Sequence, residues 1–431
     1  MPPSGQPGQA ERAAPRLLSL SSLLKSPLLD ARGDRLGRLE DLIVRPAGQP
    51  HPPVTGLVVS IGGRELFVPI DRVESLEPGR VGLAGETLDL GRFERRPGEL
   101  LLARDLQARH LINLVGARLV RANDIELAEL DGQWRVVAVD PSNRPVLRRL
   151  LPRPLADRVR PGKLIDWASI EPFVAHVPTA KMRIPYRKLA RLRPAQIADL
   201  VEAASHEEGE EIIEAVGLNR ELEADVFEEL DPEHQREFLA SRPDAEAARL
   251  LARMAPDDAA DLITDLDQER RLPIIEALPA KQRRKVEALL RYHPESAGGL
   301  MSPDFLALPG SATVSSALAA VRAADAPPEA LTTVYVVDDD GCLIGSVPLV
   351  RLLKASPDTE LAGIAEADPV TVPVDADVHA ITRKMADFNL SSLPVVDHTQ
   401  RLLGIVTVDD VLELMLPTGW RRDFGMSAAE G

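Results

Sequence analysis

Residues 392–413 read SLPVVDHTQRLLGIVTVDDVLE and predict a strand, a turn, a second strand and a helix. Residues 393–396 are apolar and β-prone, residues 397–401 supply a polar turn, and residues 402–406 return as the second strand. Thr407 is placed to cap the helix that follows, and Asp410 lies in its first turn, where the helix dipole favours carboxylates. The stretch is therefore one compact β-β-α unit.

A similar unit precedes it. Residues 334–338 and 342–347 form two apolar runs around an Asp-Asp-Gly turn, and an apolar helix starts at Leu349. Neither unit is large enough to bury its own sheet. The two copies are therefore expected to pack face to face as a tandem α/β pair, over residues 299–416 with one copy at about 301–356 and the other at about 365–416.

The composition excludes several classes of protein. Aromatic residues make up 3% of the chain, which argues against base-stacking surfaces, and the net charge of −16 disfavours direct nucleic-acid binding while attracting cations. The single cysteine, Cys342, excludes a disulfide framework and a thiolate metal cluster, so we expect a reducing, cytoplasmic compartment. The sequence contains no P-loop, dinucleotide fingerprint or Gly-x-Ser-x-Gly motif, and we predict that the protein is not an enzyme.

No membrane-spanning segment is expected. The chain has no run of ~18 uninterrupted apolar residues, the length that a spanning helix needs. Residues 17–29 are apolar, but serines and Lys25 interrupt them and no cleavage-like site follows, so they predict the edge of a strand-rich domain. Residues 1–15 and 417–431 have the composition of loose tails.

Residues 16–140 carry short β runs separated by turn residues. The clearest is the predicted hairpin of residues 54–61 and 65–70 around Gly62 and Gly63, followed by a strand at 81–90. A related pattern returns at 114–126 and 133–139, so we expect an all-β barrel or paired half-barrels. Residues 141–190 form a connector, with further barrel strands and a packed linker as equal alternatives.

Between residues 191 and 298 the hydrophobic period changes to that of helices. The sequence predicts eight short helices, at 194–204, 207–216, 220–230, 232–240, 245–254, 256–266, 268–278 and 280–291. Pro194, Pro232, Pro256 and Pro279 are predicted at first helical positions. Such a series forms a stacked helical scaffold. The Pro- and Gly-rich stretch that follows, residues 293–303, predicts a hinge or boundary, and we place the hinge at residues 295–299.

These residues resemble three families. Pro394–Val396 with the Gly404–Asp410 run, and the matching Val336, Gly341 and Gly345, look like tandem CBS units. The helices ending in HPESAGGLMSPDF are similar to the domain that precedes the CBS pair in MgtE-type magnesium transporters. Residues 17–139 resemble a PRC-barrel domain, through Gly37, Leu39 and Asp41 and through Gly116, Leu119 and Asp124. The predicted fold class is therefore multidomain, with a PRC-like β-barrel, an all-α helical superhelix and a tandem CBS pair.

The resemblance implies a cytosolic magnesium-sensing assembly, in which ions bind between acidic faces of the helical domain and the CBS pair and close the channel. The family continues from the CBS pair through a connecting helix into its channel. Here the chain ends soon after Leu416, with Gly-Trp-Arg-Arg at 419–422 where an acidic helix would start. We therefore expect a sensor without a pore, and no transport by this chain alone.

Mg²⁺ is the expected ion. Asp257 and Asp261 lie four residues apart on one predicted helix, so their carboxylates share a face. Magnesium binds a few carboxylates and retains waters, so two acids and a facing domain are sufficient. The alternative is a solvated acidic face. The other acids that the resemblance places at this interface are Asp377, Asp410, Glu413 and, at the hinge, Glu295; Asn389 stands where the family has an acid.

Thr407 and Asp410 also match the Thr-x-x-Asp pattern with which CBS units hold the ribose and phosphates of an adenine nucleotide. The equivalent residues of the first unit are Pro348 and Arg351, which cannot do this. At most one nucleotide cleft is therefore intact. The alternative is that Thr407 only caps its helix.

Three functions remain open from the sequence. The leading hypothesis is a regulatory protein that senses Mg²⁺ and switches between a compact and an open state, as a homodimer through its CBS pair and read by a channel or another protein partner. The second is an adenine-nucleotide-binding CBS module. The third is a scaffold that binds neither ligand.

Overall fold

The structure is a computed structural model of the chain and describes residues 17–46, 49–85, 92–142, 163–173, 189–324 and 326–416. It divides into two compact units, Met1–Leu218 and Asn219–Gly431, which are described in turn. Within the described residues, no helix has the length and apolar composition needed to cross a membrane.

The described residues of the first unit form mainly fourteen strands and short helical turns. The strands are β1 Leu18–Ser19, β2 Pro27–Leu29, β3 Arg35–Val44, β4 Val54–Ile61, β5 Arg64–Pro69, β6 Val73–Glu77, β7 Arg80–Leu83, β8 Leu100–Leu101, β9 His110–Asn113, β10 Arg118–Arg121, β11 Asp124–Leu130, β12 Gln133–Asp140, β13 Ile165–Asp166 and β14 Ile170–Pro172. Seven of them form one sheet in the order β5-β4-β3-β2-β7-β6, with β8 paired to β3. The others form the sheets β1-β11-β12-β13 and β10-β9-β14.

The two halves of this region exchange their first strands. Strand β1 opens the first half but pairs with β11 of the second, with Leu18 opposite Leu127. Strand β8 opens the second half but pairs with β3 of the first, with Leu101 opposite Ile43. One hydrophobic core, from Leu18 to Ile170, runs through both halves. The region is therefore sheet-rich with one shared core, and the barrel or paired half-barrels stay a prediction.

A buried aspartate of each half holds the helical turn that opens the other half. Asp41 in β3 accepts hydrogen bonds from the backbone N–H groups of Ala103 (2.8 Å) and Arg104 (3.0 Å), in the turn Leu102–Leu106. Asp124 accepts from the backbone N–H of Ser21 (3.0 Å) and from its hydroxyl, in the helical turn α1, Leu20–Leu23. Both carboxylates satisfy N–H groups that the first turn of a helix leaves without a partner.

Most predicted β elements are confirmed. The hairpin of β4 and β5 turns at Gly62 and Gly63, and β11 and β12 turn at Asp131 and Gly132, all four with positive φ. The strand predicted at 81–90 ends at Leu83, because Gly85 adopts a φ of +94°, and residues 86–91 lie outside the described ones. Of the connector, β13 and β14 join the two smaller sheets as further strands, whereas residues 143–162 and 174–188 fall outside the described part.

All eight predicted helices are present. They are α2 Pro194–Ala203, α3 His206–Val216, α4 Arg220–Glu228, α5 Pro232–Ala240, α6 Asp244–Leu251, α7 Pro256–Asp265, α8 Gln268–Ala277 and α9 Ala280–Leu289. The first two belong to the first unit, where α2 packs on β10 and Glu208 of α3 lies 3.5 Å from His110. The other six open the second unit.

The helix starts follow capping chemistry. Pro194, Pro232 and Pro256 occupy the first turn as predicted, and Asp231 accepts hydrogen bonds from the backbone N–H groups of Glu233 and His234. The prediction for Pro279 is wrong by one residue, because it is the N-cap of α9. A cap residue keeps an extended backbone, which proline also adopts, and Pro279 has a ψ of 142°.

The tandem α/β pair follows the helices. Its first copy contains β15 Ala307–Pro309, α11 Val314–Ala323, β16 Thr333–Val337, β17 Leu343–Pro348, α12 Leu349–Lys354 and β18 Glu366–Ala367, after a short helix α10, Ala297–Leu300. The second contains β19 Val372–Pro373, α13 Val378–Phe388, β20 Ser392–Val396, β21 Leu402–Thr407 and α14 Val408–Met415. In each copy a parallel strand pair precedes an antiparallel hairpin, β15-β16-β17 and β19-β20-β21.

The acidic turn of the first copy is a hairpin turn, as expected. The Asp338 carboxylate accepts from the backbone N–H groups of Asp340 (3.0 Å) and Cys342 (2.8 Å), and Gly341 has a φ of +81°. The apolar run at 342–347 predicts Cys342 inside a strand. It instead precedes β17 at the partly exposed turn, where its Sγ donates to the Thr399 carbonyl.

The glycines at the junction are packed, which corrects the predicted hinge. A Cβ on Gly298 would lie 2.6 Å from the Tyr292 ring, and one on Gly299 would lie 2.4 Å from the His293 carbonyl oxygen. The N–H groups of Ala297 and Gly298 donate to Ala376 and Val374 of the second copy. These glycines are therefore needed for close approach and not for flexibility. Any hinge must lie before Ala297.

Candidate metal centre

Helix α7 places two acids on its polar face. Its buried residues are Pro256, Ala259, Ala260, Leu262 and Ile263. Asp257 lies in the first turn, and Asp261 follows one turn later on the same side. The Oδ1 atom of Asp257 is enclosed by protein and has no hydrogen-bond partner among the described residues. An orphaned carboxylate oxygen of this kind is costly unless it receives a proton or a cation.

Asp410 of α14 faces Asp257. Burial, followed by repulsion from Asp410 and then from Asp261, raises the pKa of Asp257 to about 7. Burial also raises the pKa of Asp410, against two hydrogen bonds from Thr407, and the carboxylates of Asp409 and Glu329 add to the rise. Carboxylates from the helical stack and from the tandem pair therefore share one region of the second unit.

Glu228 is a member of this cluster that the sequence reasoning missed. It stands at the last residue of α4, and its Oε1 accepts from the backbone N–H of Ala255, 2.6 Å away, at the N-cap of α7. Burial, with repulsion from Asp225 and Glu229, raises its pKa to about 7. An acid at the C-terminal end of a helix opposes the helix dipole, and that mismatch was the available signal in the sequence.

Two further acids, Asp261 and Asp225, lie near Asp257 and Glu228. Asp261 is exposed, and both partial loss of hydration and repulsion from Asp265 raise its pKa to about 6, although solvent screens part of this effect. Burial and repulsion from Glu221 and Glu229 raise the pKa of Asp225. Among the described residues, neither these two acids nor Asp257, Glu228 and Asp410 forms an ion pair with a basic side chain.

The carboxylate donors are of the type that Mg²⁺ prefers, but their arrangement does not enclose an ion. Within the described part of the chain, no three His, Cys, Asp or Glu side chains converge closely enough to enclose a metal ion. Uncompensated carboxylates repel one another, and Mg²⁺ is held through one or two carboxylates while it keeps its waters. Asp257, with its orphaned Oδ1, and Asp410 are the two acids best placed to hold it.

The remaining predicted ligands have other environments. Asp377 is the N-cap of α13 and accepts from the backbone N–H of Ala380 at 2.7 Å. Asn389 ends the same helix with a φ of 51°, a left-handed position that asparagine tolerates. Glu295 is exposed before α10, and the backbone of Glu413 lies in the last turns of α14.

The predicted nucleotide residues contact each other. Thr407 is the N-cap of α14, and both its backbone N–H, at 3.2 Å, and its hydroxyl donate to Oδ2 of Asp410. The capping prediction is therefore confirmed. In the first copy, Arg351 pairs with Glu366 and donates to the Ile364 carbonyl at 3.0 Å. Arg351 stands at the position equivalent to Asp410 and is a donor, so the first copy lacks this acceptor.

Comparison with known proteins identifies both the helical region and the tandem α/β pair. Residues 192–295 match the family described as the MgtE intracellular N domain, and residues 297–358 and 361–417 match the CBS domain. The magnesium transporter MgtE of Thermus thermophilus is 39% identical over 219 residues, which are 44% of this chain and 48% of the transporter. The chain's helical and CBS regions are homologous to the cytosolic region of MgtE.

Two other relatives agree. The magnesium transporter MgtE of Enterococcus faecalis is 32% identical over 136 residues, 32% of this chain and 30% of that protein. A solved structure of the cytosolic domain of the Mg²⁺ channel MgtE in complex with ATP is 35% identical, with a TM-score of 0.50 over 52% of this chain and 92% of that one. The chain spans about half or less of these MgtE transporters, whereas it covers nearly all of the solved cytosolic domain.

The homology confirms the predicted multidomain architecture, with a sheet-rich region, an MgtE N domain and a CBS pair. The matched families are those of MgtE N and CBS domains. The likeness of residues 17–139 to a PRC-barrel domain stays a prediction, as does the assignment of each ligand.

Proposed function

We propose that this chain is a cytoplasmic magnesium-sensing regulator. The observation that carries the proposal is the orphaned Oδ1 of Asp257, whose carboxylate is repelled by those of Asp410 and Glu228 and, among the described residues, has no basic partner. The homology to the cytosolic region of a magnesium transporter supports Mg²⁺ as the ion.

In this proposal the switch works by differential affinity. Without Mg²⁺, repulsion between the acidic face of α7 and the start of α14 favours separation. An ion between Asp257 and Asp410 neutralises that repulsion, so Mg²⁺ favours the compact state. The MgtE N domain moves relative to the CBS pair at the junction before Ala297, since the glycines of α10 are locked against the second CBS copy. A channel subunit or another protein partner reads the compact state.

The proposed assembly is a homodimer through the CBS pair. Helices α12 and α14 follow equivalent strands of the two copies, and each leaves large apolar side chains exposed one turn apart. These are Val350 and Leu353 on α12, and Leu412 and Met415 on α14, all more than half exposed. Burying them against a second copy would remove apolar surface from water.

Small-angle scattering tests the switch. We expect the radius of gyration of the metal-free protein to fall as Mg²⁺ rises from zero to several millimolar, because the ion removes repulsion within the second unit. NaCl at matched ionic strength is the control, since general screening would act equally with either salt. A radius that is unchanged by Mg²⁺, or that falls equally with NaCl, would contradict the proposal.

The second candidate function is adenine-nucleotide binding in the second CBS copy. The solved MgtE cytosolic domain that this chain resembles is a complex with ATP, and Thr407 and Asp410 lie together at the start of α14. ATP would use the Thr407 hydroxyl and the Asp410 carboxylate.

Calorimetry in metal-free buffer separates this function from ion sensing. Thr407→Ala is expected to weaken ATP binding by about tenfold, the usual cost of a lost hydrogen bond to a charged group, while Thr407→Ser retains it. Asp257→Asn should leave ATP binding unchanged. Equal ATP affinities of the Ala and Ser variants would show that the Thr407 hydroxyl is not part of the nucleotide site.

A further inference from the structure

A cavity of about 320 Å³ lies beside the edge strand β5 of the seven-stranded sheet. It is lined by Phe67, Arg92, Glu94, Arg95, Arg96 and Pro97. Three of the six lining residues are arginines. This volume is at the lower end of the range for small-molecule sites, so it suits a small ligand and not a protein segment.

The backbone fixes this arrangement. Residues 92–93 run along the open edge of β5, where the Phe93 N–H donates to the Glu65 carbonyl at 3.1 Å and Leu66 pairs with Arg92. The chain then turns inward, and Arg95 forms an ion pair with Asp105 while also donating to the Glu99 carbonyl at 3.3 Å. Because both contacts hold Arg95, the segment that carries its neighbours is positioned before any ligand arrives.

The ring of Phe67 orients Arg96. The Arg96 guanidinium lies over that ring, 5.1 Å from its centroid, which is a cation–π geometry. Stacking covers one face of the guanidinium and leaves the N–H donors at its edge uncovered, where they can form paired hydrogen bonds to an oxyanion. The stacking therefore lowers the conformational cost of binding an anion.

The local charge is opposite to that of the protein. The chain has a net charge of −16, yet the residues that line the cavity include three arginines and one acid, Glu94. Arg95 is paired with Asp105, whereas the exposed Arg92 and Arg96 form no ion pair with any described residue. Two uncompensated guanidinium groups at one opening attract a negatively charged ligand.

We propose that this cavity binds a small anion through Arg92 and Arg96. The ligand carries a phosphate or a carboxylate group, which accepts from the two guanidinium groups, and a small carbon skeleton that packs against Phe67 and Pro97. Glu94 disfavours excess negative charge and thereby limits the affinity. The sheet-rich region, for which the magnesium proposal gives no role, would then be a second ligand-sensing module.

Equilibrium dialysis of the full chain with phenyl phosphate and with benzoate, in metal-free buffer of low ionic strength, tests this site. We expect both probes to bind, the dianionic phosphate more tightly. Arg96→Gln should weaken binding by about fivefold or more, and the Arg92→Gln/Arg96→Gln double variant should abolish it, since charge-assisted hydrogen bonds are lost. Glu94→Gln should strengthen binding.

Two controls locate the site. Arg80→Gln removes an exposed arginine from β7 of the same sheet and should leave binding unchanged. Thr407→Ala should also have no effect, which separates this cavity from the nucleotide cleft, and the magnesium response of either arginine variant should match that of the wild type. Retention of both probes by the double variant, or no binding of either probe to the wild type, would overturn the proposal.

Discussion

Replacing Asp257 with asparagine is expected to abolish the magnesium response of the protein and, without the ion, to stabilise the compact state. Asparagine keeps the size of the side chain and removes one negative charge beside Asp410 and Glu228. Loss of an outer-shell partner alone lowers metal affinity by about 10- to 100-fold, so loss of a direct ligand should cost at least as much.

Loss of the magnesium response together with a more stable compact state in the absence of the ion distinguishes this role from a structural one. A residue that only supports the fold would destabilise the protein when replaced, with or without Mg²⁺. Glu269→Gln is the matched control, since it removes an exposed first-turn acid from the next helix, α8. Calorimetry measures the ion affinity and scattering measures the compact fraction. Magnesium binding of wild-type strength in Asp257→Asn would exclude Asp257 as a ligand.

The raised pKa values make the same response depend on pH. Asp257 and Glu228 have pKa values of about 7, and that of Asp261 is about 6, so protons compete with the ion below neutrality. The affinity for Mg²⁺ should fall between pH 8 and pH 5.5, by up to about tenfold per pH unit for each proton displaced.

Without the ion, stability should change in the opposite direction. A carboxyl group whose pKa is raised by folding contributes stability below its unfolded pKa, and this contribution is lost as the pH rises through the folded value of about 7. The metal-free second unit should therefore become less stable from pH 5 to pH 8, and Mg²⁺ should restore stability at pH 8. Identical pH profiles with and without Mg²⁺ would contradict this linkage.

Replacing Asp124 with alanine should destabilise the sheet-rich region by about 3 kcal/mol, because it leaves partly buried backbone and hydroxyl donors without an acceptor. Asp124 is fully buried and accepts from Ser21 at the start of the other half. For a region of this size the loss corresponds to a fall in Tm of about 6–12 °C.

Tryptophan fluorescence follows this region selectively. Trp134 and Trp167 both lie in it, and Trp420→Phe in every variant removes the third tryptophan of the chain. Asp71→Ala, at an exposed acid of the same region, is the control. Ser21→Ala should cost little once Asp124 is absent, since both changes remove the same hydroxyl hydrogen bond. A Tm that stays unchanged in Asp124→Ala would show that this bridge does not hold the halves together.

The sequence by itself determined the stacked helices and the strand-turn-strand-helix units. The helices of residues 193–292 were predictable because proline starts, aspartate caps and an apolar period of 3.6 all agree locally, and Thr407 was placed correctly for the same reason. The pairing of Asp257 with Asp261 was also local, because four residues span about one helical turn.

Only the tertiary structure decided which acids meet. Glu228 joins Asp257 through the packing of α4 against the start of α7, and no periodicity in the sequence reports that contact. The exchange of β1 and β8 between the two halves of the sheet-rich region, the locked glycines of α10 and the arginine cavity beside Phe67 are equally nonlocal. Local patterns fix secondary structure through short-range sterics and capping, whereas a site is made by groups that are distant in sequence and are brought together by burial of the core.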